Sequence, residues 1–362
     1  MRRKRLCMCL TTAASLLLLA GLAAGCSGSQ SETQAAAPAQ EEAEGAGGEA
    51  DAAGGADAVE YPVMQIDMAC NNAKSVDESL LLKFGELIEE RSGGNITAVV
   101  FAGTLGSELE IDEQIRSGTI HMYVAATSTI STYAPEYNTF SVPYLYSTQD
   151  QVMKSWNSSI GEGLRADFEE AGIYTSANTL FMRGMRELTS NKEVHSVEDV
   201  RGLKLRLPST PEWVTVWSTM GANVTTISSA EVFSALQTGV VDAQENPIIS
   251  NYDKGIQEVQ DYTIMTNHIV DLLPVIYSKT WFDGLDADTQ ALFEECLDDA
   301  TEWANDYAAD LTETYRQEME AAGMEFIDVD TEGFKEVALS CLDEISTNWA
   351  DGVYDQLMID IE

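Results

Sequence analysis

Positive charge is scarce in this chain. Twenty Lys and Arg stand against 60 Asp and Glu over 362 residues, for a net charge of −40. So acidic a surface repels nucleic acid and anionic lipid headgroups, which excludes both as partners. Histidine is scarcer: His121, His195 and His268 are the whole set, none at ligand spacing from another His or a Cys, so no metal is expected. There is no Gly-x-Ser-x-Gly elbow, no Walker loop and no Gly-x-Gly-x-x-Gly, so no cofactor is expected either. The run Asp328-x-Asp330-x-Glu332-Gly333 opens like a calcium loop but has Leu339 at the twelfth position, where a bidentate Glu is needed. Cysteine is sparse too. Only Cys70, Cys296 and Cys341 follow Cys26, which is no disulfide framework. A Cys296–Cys341 bridge is left open, with buried thiols the expected state. Acidic pairs in so acidic a chain read as solvated faces rather than a glycosidase dyad. An enzyme is therefore not expected. The alternative, a secreted hydrolase acting through acidic pairs, has no constellation behind it.

The N-terminus is where charge reverses. Arg2, Arg3, Lys4 and Arg5 precede an apolar stretch from Leu10 to Leu22, and Leu22-Ala23-Ala24-Gly25-Cys26 closes it. A basic start, a short apolar core and small residues before a cysteine predict a lipoprotein signal peptide over 1–25, with lipidation of Cys26. The usual Leu three places before the Cys is Ala23 here. A diacylated Cys26 would tether the protein outside the cytoplasm, at a membrane face. Residues 27–59 have no aromatic residue, Lys or Arg and cannot bury enough apolar surface to order. Residues 26–59 are predicted to be a lipid-anchored cysteine followed by a disordered acidic linker.

The body, from about residue 60, alternates strand and helix. Residues 61–69 read as a strand. Ser75 caps a helix carrying Leu80, Leu81, Phe84, Leu87 and Ile88, which stops at Gly93-Gly94. A strand at 96–101, a capping box at Ser107 and Glu110 opening a helix to Gly118, and a strand at 120–125 follow. The rhythm resumes with a strand at 203–207 ended by Pro208, and a second capping box at Ser228 and Glu231 whose helix ends at Gly239. A strand at 240–243 then leads into Gln244-Glu245-Asn246-Pro247. Such alternation predicts an α/β fold with mostly parallel sheets. A helix over 286–322 is long enough to brace two domains.

The few cations are not evenly spread. Arg183, Arg186, Lys192, Arg201, Lys204 and Arg206 fall within 24 residues, where an even spread would put about one. A basic focus in an acidic protein can hold a small anion, and the planar fork of Arg suits a carboxylate. Lys192, Arg201 and Lys204 are expected to balance nearby acids. Arg206 differs, because it sits at the carboxyl end of an apolar strand, where ligands bind in open parallel sheets.

The stretch Glu198-Asp199-Val200-Arg201-Gly202-Leu203-Lys204-Leu205-Arg206-Leu207-Pro208 resembles the hallmark of DctP-type solute receptors of TRAP transporters. The likeness continues through residues 230–242, Gln244-Glu245-Asn246-Pro247, Thr266-Asn267-His268, Gly103-Thr104-Leu105-Gly106 and Val142-Pro143-Tyr144-Leu145-Tyr146, and covers about residues 62–345. It implies a two-domain periplasmic-binding-protein-like clamshell, with 60–183 plus 272–311 as domain I and 184–271 plus 312–362 as domain II. It also implies that Arg206 pairs with a ligand carboxylate, that Arg186 and Asn246 face the ligand, and that Asn71, Thr127, Ser209 and Ser229 hold pocket positions. The implied partners are a small organic acid, such as a C4-dicarboxylate or a uronate, and a permease of one small and one large membrane subunit. A receptor feeding a sensor kinase is the alternative partner. Three positions depart from the pattern. Ser229 replaces an aromatic residue, Ala126 replaces the pocket Glu of sialate-type members, and His121 replaces an Asp and is expected to be structural.

Overall fold

The computed structural model describes residues 59–362. Cys26, the expected signal peptide and the linker up to residue 58 lie outside the described residues.

The chain opens with β1 (Met64–Cys70). Ser75 then accepts a hydrogen bond from the Glu78 N–H and starts α1 (Val76–Arg91), which buries Leu80, Leu81, Phe84 and Ile88. β2 (Ile96–Ala102) runs parallel to β1. The box of Ser107 and Glu110 opens α2 (Glu108–Ser117), and Gly118, at φ 78°, closes it in the left-handed region that Gly enters without penalty. β3 (Met122–Val124), α3 (Thr127–Tyr133), α4 (Gln149–Trp156), α5 (Ser159–Glu170) and β4 (Ile173–Thr175) follow. Next come β5 (Phe181–Ser190), β6 (Lys204–Leu207), α6 (Pro211–Thr219), β7 (Asn223–Thr226), α7 (Val232–Gln237), β8 (Ala243–Pro247), α8 (Ile248–Asp253) and β9 (Tyr262–Leu273). The remainder is β10 (Val275–Ser278), α9 (Lys279–Phe282), α10 (Ala287–Ala321), β11 (Glu325–Asp328), α11 (Glu332–Ser340), α12 (Leu342–Ile345) and α13 (Val353–Asp360).

The strands form two sheets, ordered β2-β1-β3-β10-β4 and β11-β9-β5-β8-β6-β7. The chain passes from the first to the second between β4 and β5, and returns where β9 runs through Pro274 into β10. Helix α10 spans 35 residues from its Asp286 cap and packs on α1 beside the first sheet and on β5 in the second. It is the expected brace. Its Phe293 meets Phe84 with ring centroids 5.7 Å apart. Both rings are fully buried, which stabilises the fold by roughly 1.5–3 kcal/mol each. The terminal α13 packs back onto α4 and α5.

Two expected elements shift. The strand placed at 240–243 is instead β8, Ala243–Pro247. Its polar residues looked like a connection, but each finds an internal partner and all five are buried. The box at Ser228 and Glu231 joins the two side chains at 2.8 Å but opens only a 3₁₀ turn, and α7 starts at Val232. Cys70, Cys296 and Cys341 are free and buried.

Candidate functional site

The carboxyl ends of β1, β3, β6 and β8 converge on one cavity of about 480 Å³, counted out to its mouth. Asn71, Thr127, Arg186, Arg206, Ser229 and Asn246 all line it. Ser209 does not. It is exposed and faces a neighbouring depression with Asp112 and Thr226, because side-chain alternation past β6 turns Pro208 inward and Ser209 away.

Arg206 lies within β6, between the buried Leu205 and Leu207, and is itself 2% exposed. Its Nε–H donates to the Ile227 carbonyl at 2.7 Å. Its two terminal nitrogens have no partner and no carboxylate within salt-bridge distance among the described residues. Burial pulls its pKa down to about 10, against the pull of Glu245 and Glu108. The result is a buried, charged fork held at one nitrogen and open at the other two, a geometry that matches a carboxylate.

Arg186 lines the cavity with most of its donors already engaged. Its Nε–H donates to Glu245 Oε2 at 2.5 Å, and its Nη1 pairs with Asp271. Its Nη2 donates to the Glu245 carbonyl and Oε1, both at 3.0 Å, and to Asn246 Oδ1 at 3.1 Å. Its guanidinium also sits 4.6 Å above the Trp213 ring. Of its five N–H donors at most one has no partner within the protein. Burial raises the pKa of both Glu245 and Asp271, but the nearby arginines overcome it and hold both carboxyls below the ordinary range.

Arg183 and Arg186 both reach Asp271, although residues three apart on a regular strand face opposite ways. Gly184, at φ 90°, sits in a bulge between Met182 and Met185 and turns the strand so that both guanidiniums fall on one side. Arg183 also pairs with Asp77 at 3.2 Å.

Asn246 is fixed from two sides. Its Nδ2 donates to Gln244 Oε1 at 2.5 Å while its Oδ1 accepts from Arg186, so one amide hydrogen remains. The Asn71 Oδ1 accepts from the Tyr123 hydroxyl at 2.9 Å, which leaves its amide nitrogen free to donate. The Ser229 N–H donates to Glu108 Oε1 at 3.1 Å. Ala126 also lines the cavity.

Lys192 pairs with Asp242 at 2.9 Å, and Lys204 reaches the same carboxylate at 4.0 Å. Arg201, expected to balance an acid, has no ion pair among the described residues. His121 is structural: its Nδ1 accepts the Asp67 N–H at 2.8 Å, and its ring lies on Trp281. His268 is buried between Glu245 Oε2 at 3.1 Å and the Thr266 hydroxyl at 2.9 Å. Among the described residues no group of His, Cys, Asp or Glu is placed to hold a metal, and no helix is long and apolar enough to cross a membrane.

Sequence reading missed Glu108, Glu245, Asp271 and Lys254. The acids are lost in a chain full of acids. Lys254 is an isolated cation 48 residues past Arg206, and only folding brings it to the cavity.

Residues 69–348 match the model of the family described as DctP, bacterial extracellular solute-binding protein, family 7. A solute-binding protein of Roseobacter denitrificans is 31% identical over 259 residues, 71% of this chain and 79% of its own. A crystal structure of a TRAP periplasmic solute-binding protein from that organism, with bound L-galactonate, superposes with a TM-score of 0.76 at 27% identity. It covers 84% of this chain and 100% of that one. The 2,3-diketo-L-gulonate-binding periplasmic protein of Escherichia coli is 30% identical over 70% of this chain and 78% of its own. The C4-dicarboxylate-binding periplasmic protein of Vibrio cholerae is 31% identical over 69% and 74%.

Proposed function

The chain belongs to bacterial extracellular solute-binding protein family 7, and we propose that within it this protein captures a small organic acid through Arg206 and delivers it to a TRAP permease. The observation that carries the reading is the Arg206 fork, buried, charged and unpaired at both terminal nitrogens. One carboxylate engages that fork with two parallel hydrogen bonds. Asn246, Asn71, Thr127 and Ser229 take the ligand's hydroxyls or far end, and Arg186 holds Asn246 and Glu245 in place for them. Closure of the lobes around the two sheets, 60–183 with 272–311 and 184–271 with 312–362, excludes water and strengthens each bond. Relatives whose names or bound ligands are galactonate, diketogulonate and C4-dicarboxylate support an organic acid as the ligand class. The ligand leaves intact, so the protein is a receptor and not an enzyme. Lipidation at Cys26 would keep it beside its small and large permease subunits.

A thermal-shift screen of residues 60–362 against organic acids, neutral sugars and amino acids tests this. A ligand at a thousandfold excess over its Kd stabilises the fold by about 4 kcal/mol. Shifts with one class of acid and none with neutral sugars are expected. Shifts with neutral compounds alone would refute the reading.

A further inference from the structure

A second cavity, of about 890 Å³ counted out to its mouth, opens between α4, the start of β5 and α10. It lies behind the first. On β5, Arg183 lines the Arg206 cavity and its neighbour Met182 lines this one, because successive side chains of a strand point to opposite faces. One wall is fixed by Asn305 of α10, which accepts the Met182 N–H at 2.8 Å and donates to the Leu180 carbonyl at 3.2 Å. The charge here is negative. Asp150 on α4 and Asp298, Glu302 and Asp306 on α10 line the cavity, and among the described residues no Lys, Arg or His does. Asp298 accepts a hydrogen bond from the Thr179 hydroxyl. The α10 carboxylates that find a cation are Asp299, with Arg91, and Glu320, with Arg316, and neither lines the cavity. Asp150, Asp298, Glu302 and Asp306 have no ion pair among the described residues.

Asp298, Glu302 and Asp306 recur every four residues, which stacks them on one face of α10 at a rise of about 6 Å each. Like charges so spaced repel until a cation meets them. Thr301 lies among them. It is 3% exposed and lines the cavity, and its hydroxyl has no hydrogen-bond partner among the described residues. A buried hydroxyl in that state is costly until a donor reaches it. Among the described residues no group of acids is placed to hold a metal ion, so the row suits positive charges spread along a chain rather than one compact ion. Met153, Leu180 and Met182 also line the cavity and offer apolar surface to the methylene groups of such a chain.

We propose that this cavity binds a linear polyamine, a chain of ammonium groups joined by three- or four-carbon spacers. The chain lies along α10 with its charges on Asp298, Glu302 and Asp306 and one N–H on the Thr301 hydroxyl. The site is separate from the Arg206 cavity, and the inference goes beyond the carboxylate reading without resting on it.

Titration calorimetry of the protein with spermidine tests it. In 0.1 M salt, where charges more than about 10 Å apart are largely screened, spermidine should bind with one-to-one stoichiometry. Glu302→Gln combined with Asp306→Asn should weaken it about fivefold or more. Both side chains are exposed, so this double variant should melt like the wild type. The same charge removed from exposed carboxylates of β11 and α11, by Glu325→Gln with Glu336→Gln, should change the affinity by less than about twofold, because those groups lie beyond the screening distance. Three results overturn the proposal. One is the lack of any saturable binding. Another is an α10 double variant that loses no more affinity than the control pair, which is diffuse attraction of a cation to an acidic protein. The last is displacement of spermidine by an equimolar concentration of magnesium chloride, which would show a site that takes any multivalent cation.

Discussion

Glu108 accepts the backbone N–H of Ser229 at 3.1 Å, and this bond ties the start of α2, beside the first sheet, to the turn after β7 at the edge of the second. Both residues line the cavity, so the bond works as a latch at its mouth. A hydrogen bond to a charged group contributes about 1.5–3 kcal/mol, less where solvent reaches it, as at the half-buried Glu108. Glu108→Ala should therefore speed ligand release about fivefold, roughly 1 kcal/mol, with little change in association. Stopped-flow displacement measures this, and an unchanged release rate would rule the latch out.

Arg186 carries the charge balance of the buried interior. Its loss leaves the buried Glu245 without its arginine and Asp271 with Arg183 alone, and breaking a buried pair in this way costs about 3–5 kcal/mol. Urea unfolding of Arg186→Ala should show destabilisation of that size. Arg186→Lys should recover only part of it, because an ammonium cannot reproduce the fork that spans Glu245, Asp271 and Asn246. Full recovery by Lys would mean that charge alone matters there.

Gly184 has no neighbour within 4 Å of where a Cβ would stand, so its role is conformational. Gly184→Ala places a side chain at φ 90°, which costs about 1–2 kcal/mol. If the bulge also aims Arg183 and Arg186, ligand affinity falls together with the melting temperature. A variant as stable as the wild type would show that the left-handed turn is not required.

Much of this arrangement was legible in the sequence, for reasons that separate local from distant physics. The Ser75 and Ser107 caps, the Gly118 stop and the α10 span depend on neighbours a turn away, and all appear where the sequence put them. Arg206 stood out because an arginine in an apolar strand has no local explanation. The network of Arg186 with Glu245 and Asp271 had no such signal. Its members lie 59 and 85 residues apart, and buried polar groups that satisfy one another look in sequence like any other polar residues. The same blindness hid β8, whose Gln244-Glu245-Asn246 run reads as a loop until its partners are known.

Stability should fall as pH rises from about 4.5 toward 8. Glu187 is 1% exposed and accepts the Asn267 N–H at 2.8 Å, and burial lifts its carboxyl to about 8. Burial likewise lifts Asp112 and Asp253 to about 7. A carboxyl whose folded pKa is raised binds more protons folded than unfolded, so each such group lowers the unfolding free energy by up to about 1.4 kcal/mol per pH unit inside its window. Glu245 and Asp271, held low, act oppositely, and their contribution disappears in acid below the ordinary carboxylate range. Unfolding free energies by urea at pH 5, 6, 7 and 8 should decline, and Glu187→Gln should flatten the decline. A slope that Glu187→Gln leaves intact would place the titration elsewhere.

The most direct test of the account is calorimetry of the best-binding acid with wild type, Arg206→Ala and Arg206→Lys. Removing one partner of a buried charge pair costs about 2–5 kcal/mol, so Arg206→Ala should weaken binding by a factor of roughly thirty to several thousand. Arg206→Lys should fall between the two, keeping the charge and losing the second parallel bond. Equal affinity in wild type and Arg206→Ala would contradict the account at its centre.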